Sequence, residues 1–238
     1  MGMSNWRERW RDIEKAVTAR GATGRWAEGS ERPPMFDIDE PASEADVARV
    51  ESELGRAIPA SLRRVFREFA GRVCIEWQLS DEHRPPEQFR RIWAGECRWD
   101  LSDLIRLQSI HRKWIDACFT GKSTPEFEKR ERDIAYDLVW HEKLSVLEVG
   151  NGDMVGIDAR DRSTGSVIYL SHEDGEFHGY VLGCDFEDYV DRITALAFVG
   201  AEDWQYQPFM RNPKYGLDTA CENAQAWRKW LGLPRDWS

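Results

Sequence analysis

The chain has 238 residues, with 43 acidic and 33 basic side chains and a formal net charge of −10. Hydrophobic residues make up 41% of the chain and charged residues 32%, proportions typical of a globular protein that folds in water. No apolar run is long enough for a membrane-spanning helix, and the first residues lack the apolar stretch of a secretory signal. An acidic chain repels phosphate, so the composition also argues against nucleic-acid binding.

Two residue types add to this description. Twelve tryptophans are unusual for a chain of this size, and their large surfaces need a core to enter or a partner to cover them. The cysteines are scattered with no C-x-x-C pair, which favours buried free thiols in a reducing cytoplasm over a disulfide framework or a zinc ribbon. These cysteines are Cys74, Cys97, Cys118, Cys184 and Cys221.

The chain opens with patterns typical of helices. Apolar residues recur at helical spacing over Ser4–Arg20, which predicts an amphipathic helix. Residues 21–41 are rich in glycine, proline and charge, and this composition predicts a linker or an irregular wrap. Ser43 has an acid three residues later, Asp46, and this pair predicts a capped helix that ends at Gly55.

In the middle of the chain, apolar residues recur first at helical spacing, then in strand-like segments, and then at helical spacing again. Pro59 lies where the first turn of a third helix is expected. Strands are predicted at Val73–Leu79 and Phe89–Trp93, separated by a turn-rich segment. A helical pair follows, over Leu101–Phe119 and about Glu126–Trp140.

The last part of the chain predicts an antiparallel meander followed by helices. Asp185 is placed to cap a helix, and a final amphipathic helix starts near Asp218. Tight turns rich in Gly, Asn and Asp separate the expected strands. These strands are Leu144–Val149, Met154–Ala159, Ser166–Ser171 and Gly179–Leu182. The whole order predicts an α+β fold with a mostly antiparallel sheet flanked by helices.

The excess of acid is concentrated in one segment. Residues 144–203 contain 13 acidic side chains and three arginines, a net charge of −10 that equals the charge of the whole chain. A charge bias within one folded unit predicts an acidic face that attracts a basic partner. The candidate partner-binding residues are the acids near the strand turns, namely Asp153, Asp158, Asp161, Glu173, Asp174 and Glu176.

Three blocks of the sequence resemble the SUKH superfamily, which includes bacterial toxin-immunity proteins and a fungal cell-wall synthesis regulator. The blocks are the acidic helix at 42–51 with Leu54-Gly55 and Ile58-Pro59, the Phe-bearing helix at 62–71, and the strand-and-turn region at 144–158 with Gly165–Val167 and Asp185-Phe186. Ala70-Gly71 stands where the family usually has Asn-Gly.

The resemblance implies a domain organisation. A SUKH-like domain is expected at 42–199, with a helical insertion at about 101–140. Residues 1–41 form an N-terminal helix and linker, and residues 200–238 an aromatic loop and a C-terminal helix.

The resemblance also implies a binding protein rather than an enzyme. The expected partner is a cognate toxin domain, with no cofactor, metal, nucleic acid or membrane. A regulatory or scaffold module of the same superfamily is the alternative. The oligomeric state, monomer or homodimer, stays open.

Other chemical interpretations were weighed against turn and packing roles. Asp153, Asp158 and Asp161 could bind a hard cation, but they lack the alternation and terminal Glu of an EF-hand, so turn roles are favoured. His172 and His178 flank an acidic turn and could bind zinc, but their spacing matches no standard site. Neither histidine comes with a third group that would complete a nucleophile–base arrangement with Cys184.

Overall fold

The computed structural model describes residues 3–24, 32–119, 131–160, 165–172, 177–200 and 202–237. All strand pairs in it are antiparallel, and the strands form two four-stranded sheets with helices packed around them. The α+β fold predicted from the sequence is confirmed.

The helices of the first half begin and end where local signals place them. They are α1 (Trp6–Ala19), α2 (Glu44–Leu54) and α3 (Ala60–Glu68). Ser43 caps α2, since its Oγ accepts the Asp46 N–H at 3.1 Å while the Asp46 carboxylate accepts the Ser43 N–H at 3.3 Å. Gly55 then ends α2 in the left-handed conformation, with φ of 68°.

The first sheet is built around one long strand. Its strands are β1 (Ala22–Thr23), β2 (Met35–Ile38), β3 (Arg72–Leu79) and β4 (Ala94–Asp100). Because β4 pairs with nearly all of β3 along one edge, β1 and β2 share the opposite edge of β3. This edge contradicts the prediction that residues 21–41 are only a linker. The residues of β3 that pair with β2 are 35 to 41 positions away in sequence, so local composition did not indicate this pairing.

The second predicted strand was also misplaced. Residues 87–89 form a short 3-10 helix, and the strand begins at Ala94 rather than at Phe89. Phe89 and Ile92 are both buried at a spacing of three, which suits a helical turn better than a strand. The true strand was hidden because its outward residues, Glu96 and Arg98, are charged and form ion pairs.

The second sheet is the predicted meander. Its strands are β5 (Lys143–Glu148), β6 (Met154–Asp158), β7 (Val167–Leu170) and β8 (Val181–Gly183), in the order of the chain. Between the two sheets in sequence lie α4 (Leu104–Phe119) and α5 (Glu131–Trp140), the predicted helical pair. Residues 120–130, which include the expected start of α5, lie outside the described residues.

Three helices follow the second sheet in sequence. They are α6 (Phe186–Ala195), the four-residue α7 (Asp203–Tyr206) and α8 (Glu222–Leu231). Asp185 caps α6 as predicted, because its carboxylate accepts the Asp188 N–H at 2.8 Å.

One hydrophobic core joins both sheets with α1, α2, α3, α6 and α8. Most of its largest side chains are tryptophans, and five of their indole N–H groups have a hydrogen-bond acceptor. Trp10 donates to Thr194 Oγ1 at 2.9 Å, Trp77 to the Ala197 carbonyl at 2.9 Å, and Trp227 to the Leu196 carbonyl at 2.9 Å. Trp6 and Trp99 donate to Asp191 and Ala70. Since a buried indole without an acceptor costs free energy, these bonds let the core hold so many tryptophans.

The helical pair covers the outer face of the second sheet. Trp140 forms a second apolar cluster with Met154, Ile168 and Leu170 of the sheet. His111 fixes the arrangement, since its Nε2–H donates to the Trp140 carbonyl at 2.7 Å and its Nδ1 lies 2.6 Å from Ser145 Oγ.

Candidate partner-binding surface

Asp153 directly precedes β6, in the turn that follows β5, and its carboxylate accepts several hydrogen bonds within this turn. Oδ1 accepts the backbone N–H and the Nδ1–H of His172, at 2.8 and 2.7 Å. Oδ2 accepts the Tyr169 hydroxyl at 2.6 Å and the Asn151 amide at 2.9 Å. Burial alone would raise the pKa of Asp153, but these hydrogen bonds hold it below its usual value. Asp153 is 2% exposed, so its carboxylate holds the turn and contributes no exposed charge to the surface.

Asp158 lies at the other end of β6 and is half-buried. Its Oδ1 accepts Arg160 Nε at 2.9 Å, and its Oδ2 lies 3.4 Å from the Nζ of Lys143 on β5. Burial would raise the pKa of Asp158, but these two cations keep it below the usual range. Arg160 and Lys143 therefore neutralise the charge of Asp158 within the molecule.

The meander separates the candidate residues into two groups. Consecutive turns of antiparallel strands lie at opposite ends of a sheet, and β6 places Asp153 and Asp158 about 17 Å apart along the strand. These two acids therefore lie at different ends of the sheet. Asp161, Glu173, Asp174 and Glu176 lie outside the described residues, so the proposed binding role of their side chains stays a prediction.

Three further acids of the same segment form ion pairs, two of them with arginines from elsewhere in the chain. Glu148 accepts a hydrogen bond from Arg106 at 2.7 Å, and Glu187 pairs with Arg64 on α3. Within the segment, Asp188 pairs with Arg192 at 2.7 Å. The charge count of 144–203 was correct, but it did not show which cations fold back onto these carboxylates.

Sequence reasoning missed a second acidic surface, on β2 and α2. Six acids there are exposed, although Asp39, Glu44 and Glu53 form ion pairs with arginines, and Arg49 is the one basic residue in the sequence between positions 37 and 54. This imbalance was present in the sequence, but the linker interpretation of 21–41 obscured it. The exposed acids are Asp37, Asp39, Glu40, Glu44, Asp46 and Glu53.

A cleft of about 240 Å³ separates the outer face of the first sheet from β5 and the start of α4. Each of its three arginines contacts two carboxylates. Arg98 lies 2.7 Å from Glu96 and 3.0 Å from Glu76. Arg106 joins Asp103 to Glu148, and Arg72 lies near Asp39 and Asp100. The cleft is therefore a network of ion pairs rather than a cationic pocket for a phosphate.

Both histidines of the candidate zinc site make hydrogen bonds within the fold. Both ring nitrogens of His178 are used, since Nδ1 accepts the Ser171 N–H at 3.0 Å and Nε2–H donates to the Tyr136 carbonyl at 2.9 Å. His172 is held by Asp153. Across the described ranges, no three His, Cys, Asp or Glu side chains are grouped to hold a metal ion.

The surroundings of Cys184 and Cys74 do not favour a nucleophilic thiolate. Cys184 follows β8 next to Gly183, which pairs with Val167 at the start of β7, whereas His172 follows the end of β7. The two side chains thus lie at opposite ends of the sheet. Burial, together with Asp188, raises the pKa of the Cys184 thiol. Burial and Glu76 raise that of Cys74 to about 11, so the thiolate is disfavoured at both positions.

The fold and its surface define an α+β protein with two antiparallel sheets and an extensive network of surface ion pairs. A profile of the SMI1 / KNR4 family (SUKH-1) matches residues 41–192, and the chain belongs to this family. The match confirms the SUKH resemblance; this family includes immunity proteins and the fungal regulator, and its members act through protein interactions. No curated protein and no solved structure matches the chain. Among the described residues, no helix is both long and apolar enough to cross a membrane.

Proposed function

We propose that this protein is a stoichiometric, non-enzymatic inhibitor that neutralises a basic toxin domain in the cytoplasm. Family membership together with the net charge of −10 carries the proposal. A nuclease is the expected toxin, because an enzyme that grips phosphates needs lysine and arginine at its surface. An acidic inhibitor would accelerate encounter with such a surface.

The proposed contact surface consists of the acids in two segments of the sequence. Asp161 belongs to the segment that follows β6, and Glu173, Asp174 and Glu176 belong to the segment that follows β7. Asp153 supports this surface indirectly, since it ties the β5–β6 turn to His172, the residue that precedes the second segment.

Capture of the partner tests the proposal. The chain, immobilised and exposed to lysate of its native organism, should retain a stoichiometric protein with a basic domain after a salt wash. Expression of that domain alone should arrest growth, and co-expression of this chain should restore it. A housekeeping partner without toxicity would contradict the inhibitor role and favour the regulatory module instead.

The electrostatic part has its own test. Neutralising Asp161, Glu173, Asp174 and Glu176 together should slow association with the captured domain about tenfold at low salt, and much less at 0.5 M salt, where charges are screened. A matched variant neutralises the exposed Glu8, Glu53, Glu87 and Glu222, which changes the net charge equally. Equal slowing by both variants would show that the overall charge of the chain, and not these four acids in particular, attracts the partner.

A further inference from the structure

β2 is an edge strand with one side open among the described residues. It pairs with β3 over Met35–Ile38, and no other described strand pairs with its far side. An open edge presents a row of backbone donors and acceptors to which another extended chain can bind.

The register identifies which groups point outward. The Asp39 N–H donates to the Arg72 carbonyl at 3.0 Å, and Asp37 lies opposite Cys74 in the same alternation. In an antiparallel pair, every second residue makes these bonds, so the N–H and C=O groups of Phe36 and Ile38 point away from β3. Two residues of β2 therefore offer backbone groups that the sheet does not use.

The two sides of this edge have different chemistry. On the outer face lie Asp37 and Asp39, both exposed, and Asp37 has no ion pair within the described ranges. On the inner face, Phe36 and Ile38 line a cavity of about 160 Å³ together with Trp10, Arg7, Arg11 and Glu14 of α1. A strand added here would place alternate side chains against acids and against this cavity.

We propose that the edge of β2 receives an extended segment of the protein partner, added to the first sheet as a further strand. The segment would carry lysine or arginine at alternate positions, facing Asp37 and Asp39, with small apolar residues between them facing the cavity. The inference deepens the proposed function and rests on it, since it assigns a place and a mode of binding to the basic partner.

Charge selects this occupant over a second copy of the chain. Two β2 strands placed side by side would bring Asp37 and Asp39 of both copies together, which like-charge repulsion opposes. Pro33, Pro34 and Pro41 bracket the strand and limit any added strand to the residues between them. A basic segment relieves the repulsion and uses the same backbone groups.

Hydrogen exchange measured by NMR tests the inference on the full chain. The probe is a synthetic peptide that alternates valine and lysine over seven residues, and a peptide with glutamate in place of lysine is the control. At saturating probe, we expect exchange of the Phe36 and Ile38 amides to slow at least tenfold. The Asp37 amide, already bonded in the ladder, should change little. Unchanged exchange at Phe36 and Ile38 would overturn the inference.

A charge variant adds a second readout. Asp37→Lys should weaken binding of the lysine probe about fivefold at low salt, whereas Glu53→Lys, an equal charge change on α2, should stay within twofold. Equal weakening by both would show a non-specific charge effect and overturn the inference.

The two proposals can fail separately. If co-expression rescues growth but the toxin domain leaves the Phe36 and Ile38 amides unprotected, the edge inference is overturned and the inhibitor role stands. If no toxin is found but the probe protects these amides, the edge binds basic strands and the inhibitor role fails.

Discussion

The outer faces of the two sheets differ in the side chains that they carry and in what covers them. On the second sheet, Met154, Ile168 and Leu170 point outward and are covered by α4 and α5 through Trp140. On the first sheet, the outward residues of β3 and β4 include Glu76, Glu96 and Arg98, and ion pairs take the place of an apolar cover. An apolar face has to be covered to be stable in water, whereas a face of paired charges can stay at the surface.

This difference indicates where a partner can bind without displacing part of the fold. The covered face of the second sheet is a packed layer, and a partner could reach it only by removing the helical pair. The first sheet leaves the edge of β2 unpaired among the described residues, with Asp37 and Asp39 exposed beside it. Substitutions in the two layers should therefore differ in their effect on stability.

The largest loss of stability is expected where the helical pair covers the second sheet. Trp140→Ala should lower the free energy of unfolding by about 4 kcal/mol, because it leaves a large cavity between α5 and the sheet. Urea unfolding followed by circular dichroism measures this. Gln78→Ala, on the uncovered face of β3, is the matched control and should cost less than about 1 kcal/mol. Similar losses in both variants would contradict the contrast between the faces.

A smaller effect is expected in the ion-pair layer. Arg98→Met should lower the free energy of unfolding by about 2 kcal/mol, since it removes the guanidinium that faces two buried carboxylates. The double variant Arg98→Met, Glu96→Gln should recover part of this loss, because one of the two charges is gone. Chemical denaturation of all three proteins measures the coupling, and a double variant less stable than the single would contradict the pairing argument.

The smallest effect is a pH dependence in the covered layer. Burial lowers the pKa of His111 from its usual value of 6.5. As the pH falls below 6.5, the unfolded chain takes up a proton that the folded chain refuses, so the free energy of unfolding decreases. We expect a loss of about 1 kcal/mol between pH 7 and pH 5 that His111→Gln lacks, measured by urea unfolding at both pH values. Parallel pH profiles for the two proteins would show that His111 does not titrate this way.

Local signals predicted most of the elements, and long-range pairing explains the errors. The Ser43 cap, Gly55 and the Asp185 cap each act within a few residues, so their helices could be located from the sequence. By contrast, β2 is a strand only because β3 supplies its hydrogen bonds. The alternation of apolar and acidic residues over Phe36-Asp37-Ile38-Asp39 is a local sign of this strand, but it is short and lies among prolines and charges.

For the candidate site, the sequence predicted only where acidic residues are concentrated. The count over 144–203 located an acid-rich segment, but burial and partners decide what each acid does. Asp153 lies inside the turn under Tyr169 and His172, and Glu187 lies against Arg64, which is 123 residues away. Neither relation can be seen without the fold.

The hydrogen bonds made by the buried indoles also connect distant parts of the chain. Residues 191–197, at the end of α6, accept hydrogen bonds from Trp6 and Trp10 of α1 and from Trp227 of α8. Both terminal helices are therefore anchored to the same two turns of backbone. If this segment opens, both helices lose their attachment at once, so a protease should gain access to them in one cooperative step rather than trimming each helix independently.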